Sequence, residues 1–317
     1  MENMIWSYLL HLSTHMWDNE NSKPRGWYLP PLFTPENKVD LDVWDETVNF
    51  LEKCRYNMVI VDVGDAVKYE SHPEISAPDA WDKEFLKKKL DEMRAKGLEP
   101  IPKLNFSTGH HTWLKEYRRM VSSPVYYTVC ADLIAEVSEL FGYPRLFHLG
   151  MDEETPSVCG GYDVVVIRQD KVFWHDMHYF FEQVEKHGAR PWVWSDYYWW
   201  GNADMFKEQM PHEVLQSNWY YHIFKELPAS DIWSRCQACY EALDELGYEQ
   251  VLTASAYVTG KNAFQTLMHG REKLDASRVK GYMMAPWQFT RDETRYALLN
   301  DAHRFYLARK EVYPDSF

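Results

Sequence analysis

The chain has 317 residues, 45% hydrophobic and 26% charged, a length and balance that suit one large folded domain. Its net charge of −14 argues against a nucleic-acid partner, whose phosphates would be repelled where a basic patch is needed. No run of about 18 apolar residues is present, so no membrane-spanning helix is expected.

The opening MENMIWSYLLHLS lacks a basic n-region and a small-residue cleavage site, and it reads as a strand. The expectation is a cytoplasmic protein, or an exported one whose leader has been removed. From there short apolar runs alternate with longer amphipathic stretches. The first strand is Ile5–Ser13, followed by a Pro- and Gly-rich loop over Asn19–Glu36 and a helix over Leu41–Arg55. The second strand, Met58–Val63, leads to a helix over Asp82–Lys96, and the third, Pro100–Phe106, to one over Val125–Phe141. The fourth pair is Arg145–Met151 with Val172–His187, and the fifth is Pro191–Ser195 with a short helix at Ala203–Gln209. The sixth strand, Val214–Trp219, precedes a helix over Ser234–Leu246, and the seventh, Val251–Ala256, one over Ala263–Leu274. The last pair is Val279–Pro286 with Thr294–Lys310. Eight alternating pairs predict a single α/β domain over residues 1–317, a closed (β/α)8 TIM barrel, with an open doubly wound sheet as the alternative.

Barrels of this kind carry chemistry where strands run out into the βα loops. The polar residues there are His15 and Asp18 after strand one, Asp62 and Asp65 after strand two, and Asn105, His110 and His111 after strand three. Strand four adds His148, Asp152, Glu153 and Glu154, and strand five adds Asp196. The chain also holds 14 Trp, 21 Tyr and 15 Phe, and many cluster at strand ends in WVWSDYYWW, SNWYY and APWQF. Flat aromatic faces stack on sugar rings, so a carbohydrate cleft is expected beside ordinary core packing.

The run His148-Leu149-Gly150-Met151-Asp152-Glu153 ends strand four. On a two-residue period His148, Gly150 and Asp152 share one face, with Glu153 at the exit. Cleavage of a glycosidic bond needs a proton on the leaving oxygen, and a second carboxylate beside the acid raises its pKa. Solvated loop carboxylates would give the same letters. What favours chemistry is the position of the pair at a strand end.

This run resembles the His/Asn-x-Gly-x-Asp-Glu motif of glycoside hydrolase family 20, the β-hexosaminidase-like barrels. Looser matches are Asn57 to Asp65 with His72-Pro73-Glu74, which resemble the family's N-x-x-x-x-H-L-x-D and aromatic-Pro-Glu segments, and Ile101 to Asn105 with Gly109-His110, which resemble I-P-E-I-D and P-G-H. The resemblance implies that Glu153 is the general acid/base and that Asp152 orients the substrate's 2-acetamido group, whose oxygen attacks the anomeric carbon. It also implies that Tyr257 bonds the acetamido oxygen and that Trp194, Trp219 and Trp287 wall the pocket. Asp65 stands at a family position but could simply close a turn, and His110 could touch sugar or acid. His148 could orient Asp152 or be a satisfied interior histidine, and Asp196 could bind sugar or cap a helix.

The sequence departs from the family in its sugar-gripping shell. The strand-one Arg has no match, only Thr14 or His15 nearby, while Asp62 replaces the strand-two His and Lys103 and Asn105 replace the strand-three Glu and Asp. The substrate implied is not a plain terminal N-acetylglucosamine but another β-linked amino sugar, a modified hexosaminide, or a sugar within a larger glycan, carried on an oligosaccharide or glycoconjugate. No cofactor or metal is expected. A metal-dependent barrel hydrolase would open on H-x-H, whereas HLSTH gives H-x-x-x-H, and no H-E-x-x-H occurs. A non-catalytic carbohydrate-binding barrel is the other alternative. Cys236 and Cys239 have redox spacing but fall inside a helix, and the five cysteines are too sparse for a disulfide framework.

Overall fold

The computed structural model describes residues 4–17, 33–160 and 162–317. Asp18 and most of the Asn19–Glu36 loop lie outside them. Eight parallel strands close into a barrel: β1 Ile5–His11, β2 Met58–Asp62, β3 Glu99–Lys103, β4 Leu146–His148, β5 Arg190–Trp194, β6 Leu215–Ser217, β7 Gln250–Ala254 and β8 Val279–Met284. Each strand pairs with the next, as in Leu10 against Val61 and Ile60 against Ile101, and β8 returns to β1 with Met284 against Tyr8. Strands of a closed parallel sheet are covered on both faces, so β1 and β2 are buried at every position. The predicted barrel is the observed fold.

The helices between strands are α1 Leu41–Lys53, α2 Lys83–Ala95, α3 Pro124–Leu140, α4 Pro156–Cys159, α5 Asp170–Lys186, α6 Tyr197–Trp200, α7 Ala203–Gln209, α8 Ile232–Glu245, α9 Asn262–Lys273 and α10 Arg295–Val312. Their starts are chemically marked. Asp40 accepts the N–H groups of Asp42 and Val43 ahead of α1, Asp82 accepts that of Phe85 in α2, and Ser123 caps α3 with Pro124 in its first turn. Each main helix then buries one stripe, in α1 Val43, Trp44, Thr47, Val48 and Leu51. The short helices α4 and α6 and a 3-10 segment at Thr112–Arg119 were not expected. They fold back over the strand exits, where periodicity carries no signal. All five cysteines are buried and unpaired.

The barrel interior is not uniformly apolar. Lys103 and Asp62, neighbours across β2 and β3, form an ion pair with essentially no exposure, and His11 Nδ1 stands 3.5 Å from the same Asp62 carboxylate. Burial opposes the Asp62 charge, but Lys103 and His11 outweigh it and lower its pKa to about 2. The two departures at Asp62 and Lys103 therefore answer one another, a charged pair that faces inward.

Candidate active site

Strand β4 ends at His148, two residues before Gly150 and earlier than the predicted Met151, so the expected alternation of His148, Gly150 and Asp152 on one strand face is not what the backbone adopts. Gly150, Met151 and Glu153 all have positive φ, at 71°, 72° and 58°. For the two side-chain-bearing residues this region costs about 1–2 kcal/mol each. Gly150 is required twice over, since a Cβ there would lie 2.0 Å from Asn105 Oδ1.

Hydrogen bonds from three neighbouring exits hold this turn. His148 Nδ1 accepts the Gly150 N–H at 3.0 Å, and Asn105 Oδ1 accepts the N–H groups of Met151 at 3.2 Å and Ser107 at 3.0 Å. Ser107 donates its hydroxyl to the Asp152 carbonyl, and the Glu153 N–H donates to Asp196 Oδ2 at 2.8 Å.

The turn sets the two acids in different surroundings. The Asp152 side chain is 8% exposed; its Oδ1 accepts from Asn105 Nδ2 at 2.9 Å and its Oδ2 lies 3.1 Å from His110 Nε2. Burial disfavours its charge, yet His110, Lys103 and Asn105 together lower its pKa, so Asp152 is a carboxylate at neutral pH. The Glu153 side chain is 27% exposed and places Oε2 3.3 Å from the same His110 nitrogen. Both carboxylates thus stand within 3.3 Å of one imidazole nitrogen, at ion-pair distance. Burial works against a charged His110, but Asp152 and Glu153 prevail and raise its pKa to about 10. The Trp17 indole N–H donates to His110 Nδ1 and opposes a second proton there.

His110, Asp152 and Glu153 present donor atoms within 4.8 Å of one another. A metal on His110 Nε2 would require the ring proton on Nδ1, pointed at the Trp17 N–H. That contact disfavours a metal ion on the trio.

A cavity of about 520 Å³ opens over the pair. Trp287 and Tyr221 adjoin one another in its wall at 6.4 Å, Tyr221 stacks on Trp219 at 5.3 Å and 26°, and Trp233 packs on His222 at 4.7 Å. Of the predicted residues, His110, Asp152, Glu153, Trp219, Tyr257 and Trp287 line the cavity. The other four lie outside that lining. Trp194 is 2% exposed and packs on Trp287 at 6.0 Å and His148 at 4.7 Å, and His148 is fully buried in the barrel, held neutral by burial and Lys103.

Asp196 is buried under the turn, where burial first and then Asp152 raise its pKa well above the usual carboxyl range. It neither lines the cavity nor caps α6 through its side chain. Asp65 accepts from Ser13 Oγ at 2.8 Å and pairs with His15 at 2.6 Å, contacts that brace the β1 exit from outside the cavity lining. Thr14 is bound to Asn37, so neither candidate for the absent Arg reaches the cavity; Met16 and Trp17 do.

Residues of the lining absent from the sequence-based site include Trp17, Trp200, Tyr221, His222 and Trp233. Trp200 and Tyr221 belong to the aromatic tracts at strand ends, so a signal for them existed. Trp233 comes from α8 and had none.

No family model and no curated protein sequence matches the chain. Solved structures do. The Flavobacterium johnsoniae chitobiase superposes with a TM-score of 0.61 at 14% identity, over 88% of this chain and 50% of that one. The family 20 exo-β-N-acetylglucosaminidase of Vibrio harveyi, in complex with N-acetylglucosamine, gives 0.61 at 12% identity, over 98% and 57%. The Streptomyces plicatus N-acetyl-β-hexosaminidase, in complex with Thio-NAglucal, gives 0.63 at 14% identity, over 97% and 68%. The chain spans little more than half the length of the first two. At these identities the likeness is one of architecture: the chain has the barrel fold of the family 20 glycoside hydrolases, met here in a divergent sequence.

Proposed function

We propose that the chain is a retaining glycosidase acting on a β-linked 2-acetamido sugar, with Glu153 as general acid/base and Asp152 as the group that orients the acetamido function. The observation that carries this is the pair of carboxylates within 3.3 Å of a single imidazole nitrogen at the mouth of β4, opening into an aromatic-walled cavity. Asp152, buried and ionised, suits an acceptor for the acetamido N–H. Glu153, the more exposed of the two, suits proton transfer to the leaving oxygen.

In the first step the acetamido oxygen bonds to the anomeric carbon as the glycosidic bond breaks, and the Glu153 proton passes to the leaving oxygen. Water then adds at the same carbon, returns a proton to Glu153 and restores the acetamide with net retention. An enzyme nucleophile would need a second carboxylate across the sugar, about 5–5.5 Å from the acid. Asp152 and Glu153 sit side by side on one nitrogen, and no other carboxylate lines the cavity among the described residues. That favours assistance by the substrate.

The substrate itself is proposed to be an amino sugar within a larger glycan or glycoconjugate. The described lining holds no Arg or Lys, and the shell changes at Asp62 and Lys103 face inward. The test is a panel of aryl glycosides with and without a 2-acetamido group, run on wild type and Glu153→Gln. Turnover confined to 2-acetamido sugars and lost in Glu153→Gln by about 10²-fold or more is expected. Equal turnover of plain hexosides overturns the mechanism.

A further inference from the structure

We propose that Arg168 is a positioning residue that sets the distance between His110 and the Asp152–Glu153 pair; this rests on the functional reading above. Arg168 lies in the extended segment before α5, and its side chain is 1% exposed. Its donors meet protein acceptors on three elements. Nε donates to both Glu154 oxygens at 3.1 Å, and Nη1 to Asp176 Oδ2 of α5 at 2.8 Å. Nη2 donates to the Phe106 carbonyl at 2.8 Å and again to Glu154 Oε1. Glu154, itself 4% exposed, also accepts the Thr108 N–H at 2.9 Å.

Two of these acceptors belong to the catalytic loops. Glu154 directly follows Glu153, whereas Phe106 and Thr108 precede His110 by four and two positions. One planar guanidinium therefore bolts the β3 exit to the β4 exit on the side away from the substrate. Asp176 anchors the bolt to α5 and to α3, since it also accepts from Ser122 and Tyr127. The β4 exit needs such an anchor, because Met151 and Glu153 occupy the left-handed region. A lysine could carry the charge but could not span Glu154, Asp176 and Phe106 at once, for it lacks the rigid fork.

The structural surroundings define a readout. The His110 ring is faced by Asp152 and Glu153 from the β4 exit and by Trp17 from the β1 exit, with His111 beside it in the chain. Loosening the bolt separates the ring from its two carboxylates and lowers the pH at which it titrates.

The experiment compares wild type, Arg168→Lys and Glu154→Gln in the full chain. It measures folding by circular dichroism, kcat and KM on an aryl 2-acetamido glycoside, and His110 titration by imidazole nitrogen NMR. In folded Arg168→Lys, kcat falls about 30-fold or more with KM within about 3-fold, since a displacement near 1 Å at a reacting group costs on that scale. The His110 midpoint falls by about one pH unit or more. If Arg168→Lys does not fold, Glu154→Gln, whose amide oxygen can still accept from the Thr108 N–H but which loses the charge and one acceptor for Arg168, carries the same expectations. Unchanged kcat and an unchanged His110 midpoint in a folded variant overturn the proposal. A wild type that cleaves no glycoside refutes the functional reading instead, and the His110 titration still decides on the bolt.

Discussion

Replacing Lys103 with Met should destabilise the barrel and reverse the sign of its pH dependence. Asp62 and Lys103 have essentially no exposure, and among the described residues the Asp62 carboxylate has, beyond Lys103, only His11 Nδ1 at 3.5 Å as an ion-pair partner. The folded pKa of Asp62, about 2 against an ordinary 3.8, corresponds to about 2–3 kcal/mol of stability. Because the folded value is the lower one, that contribution is complete above about pH 4 and is lost as the pH falls toward 2.

Without Lys103, burial pushes the Asp62 pKa the other way, so Lys103→Met loses about 3–5 kcal/mol at pH 7 and recovers stability on mild acidification. Lys103 also helps hold Asp152 ionised, so the acid limb of activity should move to higher pH. The assay is urea unfolding followed by tryptophan fluorescence at pH 7 and pH 4.5, on wild type, Lys103→Met, Asp62→Asn and the double variant. A coupling of about 2 kcal/mol or more between the two sites is expected. Strictly additive costs, or a Lys103→Met protein whose stability falls with acid in parallel with wild type, would refute the reasoning.

Two other predictions concern single positions. Gly150→Ala places a methyl against the Asn105 carboxamide and forces Ala to φ near 71°, so a loss of about 1–3 kcal/mol and a lower kcat are expected, checked by thermal unfolding and turnover; a variant matching wild type in both would remove the steric argument. Asp301 in α10 is held by burial at a pKa of about 6, a penalty that is full above pH 6 and absent below about pH 4. Asp301→Asn should therefore stabilise the protein by about 1–3 kcal/mol at pH 8 and lose that advantage at pH 4, as read from Tm at the two values.

The barrel was legible in the sequence because short apolar runs and amphipathic helices alternate eight times, and helix starts such as Asp40, Asp82 and Ser123 are chemically marked. Asp152 and Glu153 were legible as a pair because Gly150 sits between them and the strand, and the structure supplies the reason in the Asn105 side chain packed where a Cβ would go. Even there the alternation argument failed, since tertiary hydrogen bonds from Asn105, Asp196 and His148 pull the backbone out of the strand after His148.

By itself the sequence determined the order of elements, the strand end that carries the acids, and an aromatic cleft, because these depend on local periodicity and composition. The tertiary structure alone decided which polar residues meet. Asp65 turned to His15, Asp62 to Lys103 and Glu154 to Arg168, while Trp17, His222 and Trp233 converged on the cavity from separate loops and a helix. Contacts between residues far apart in the chain have no period, and only barrel closure fixes them.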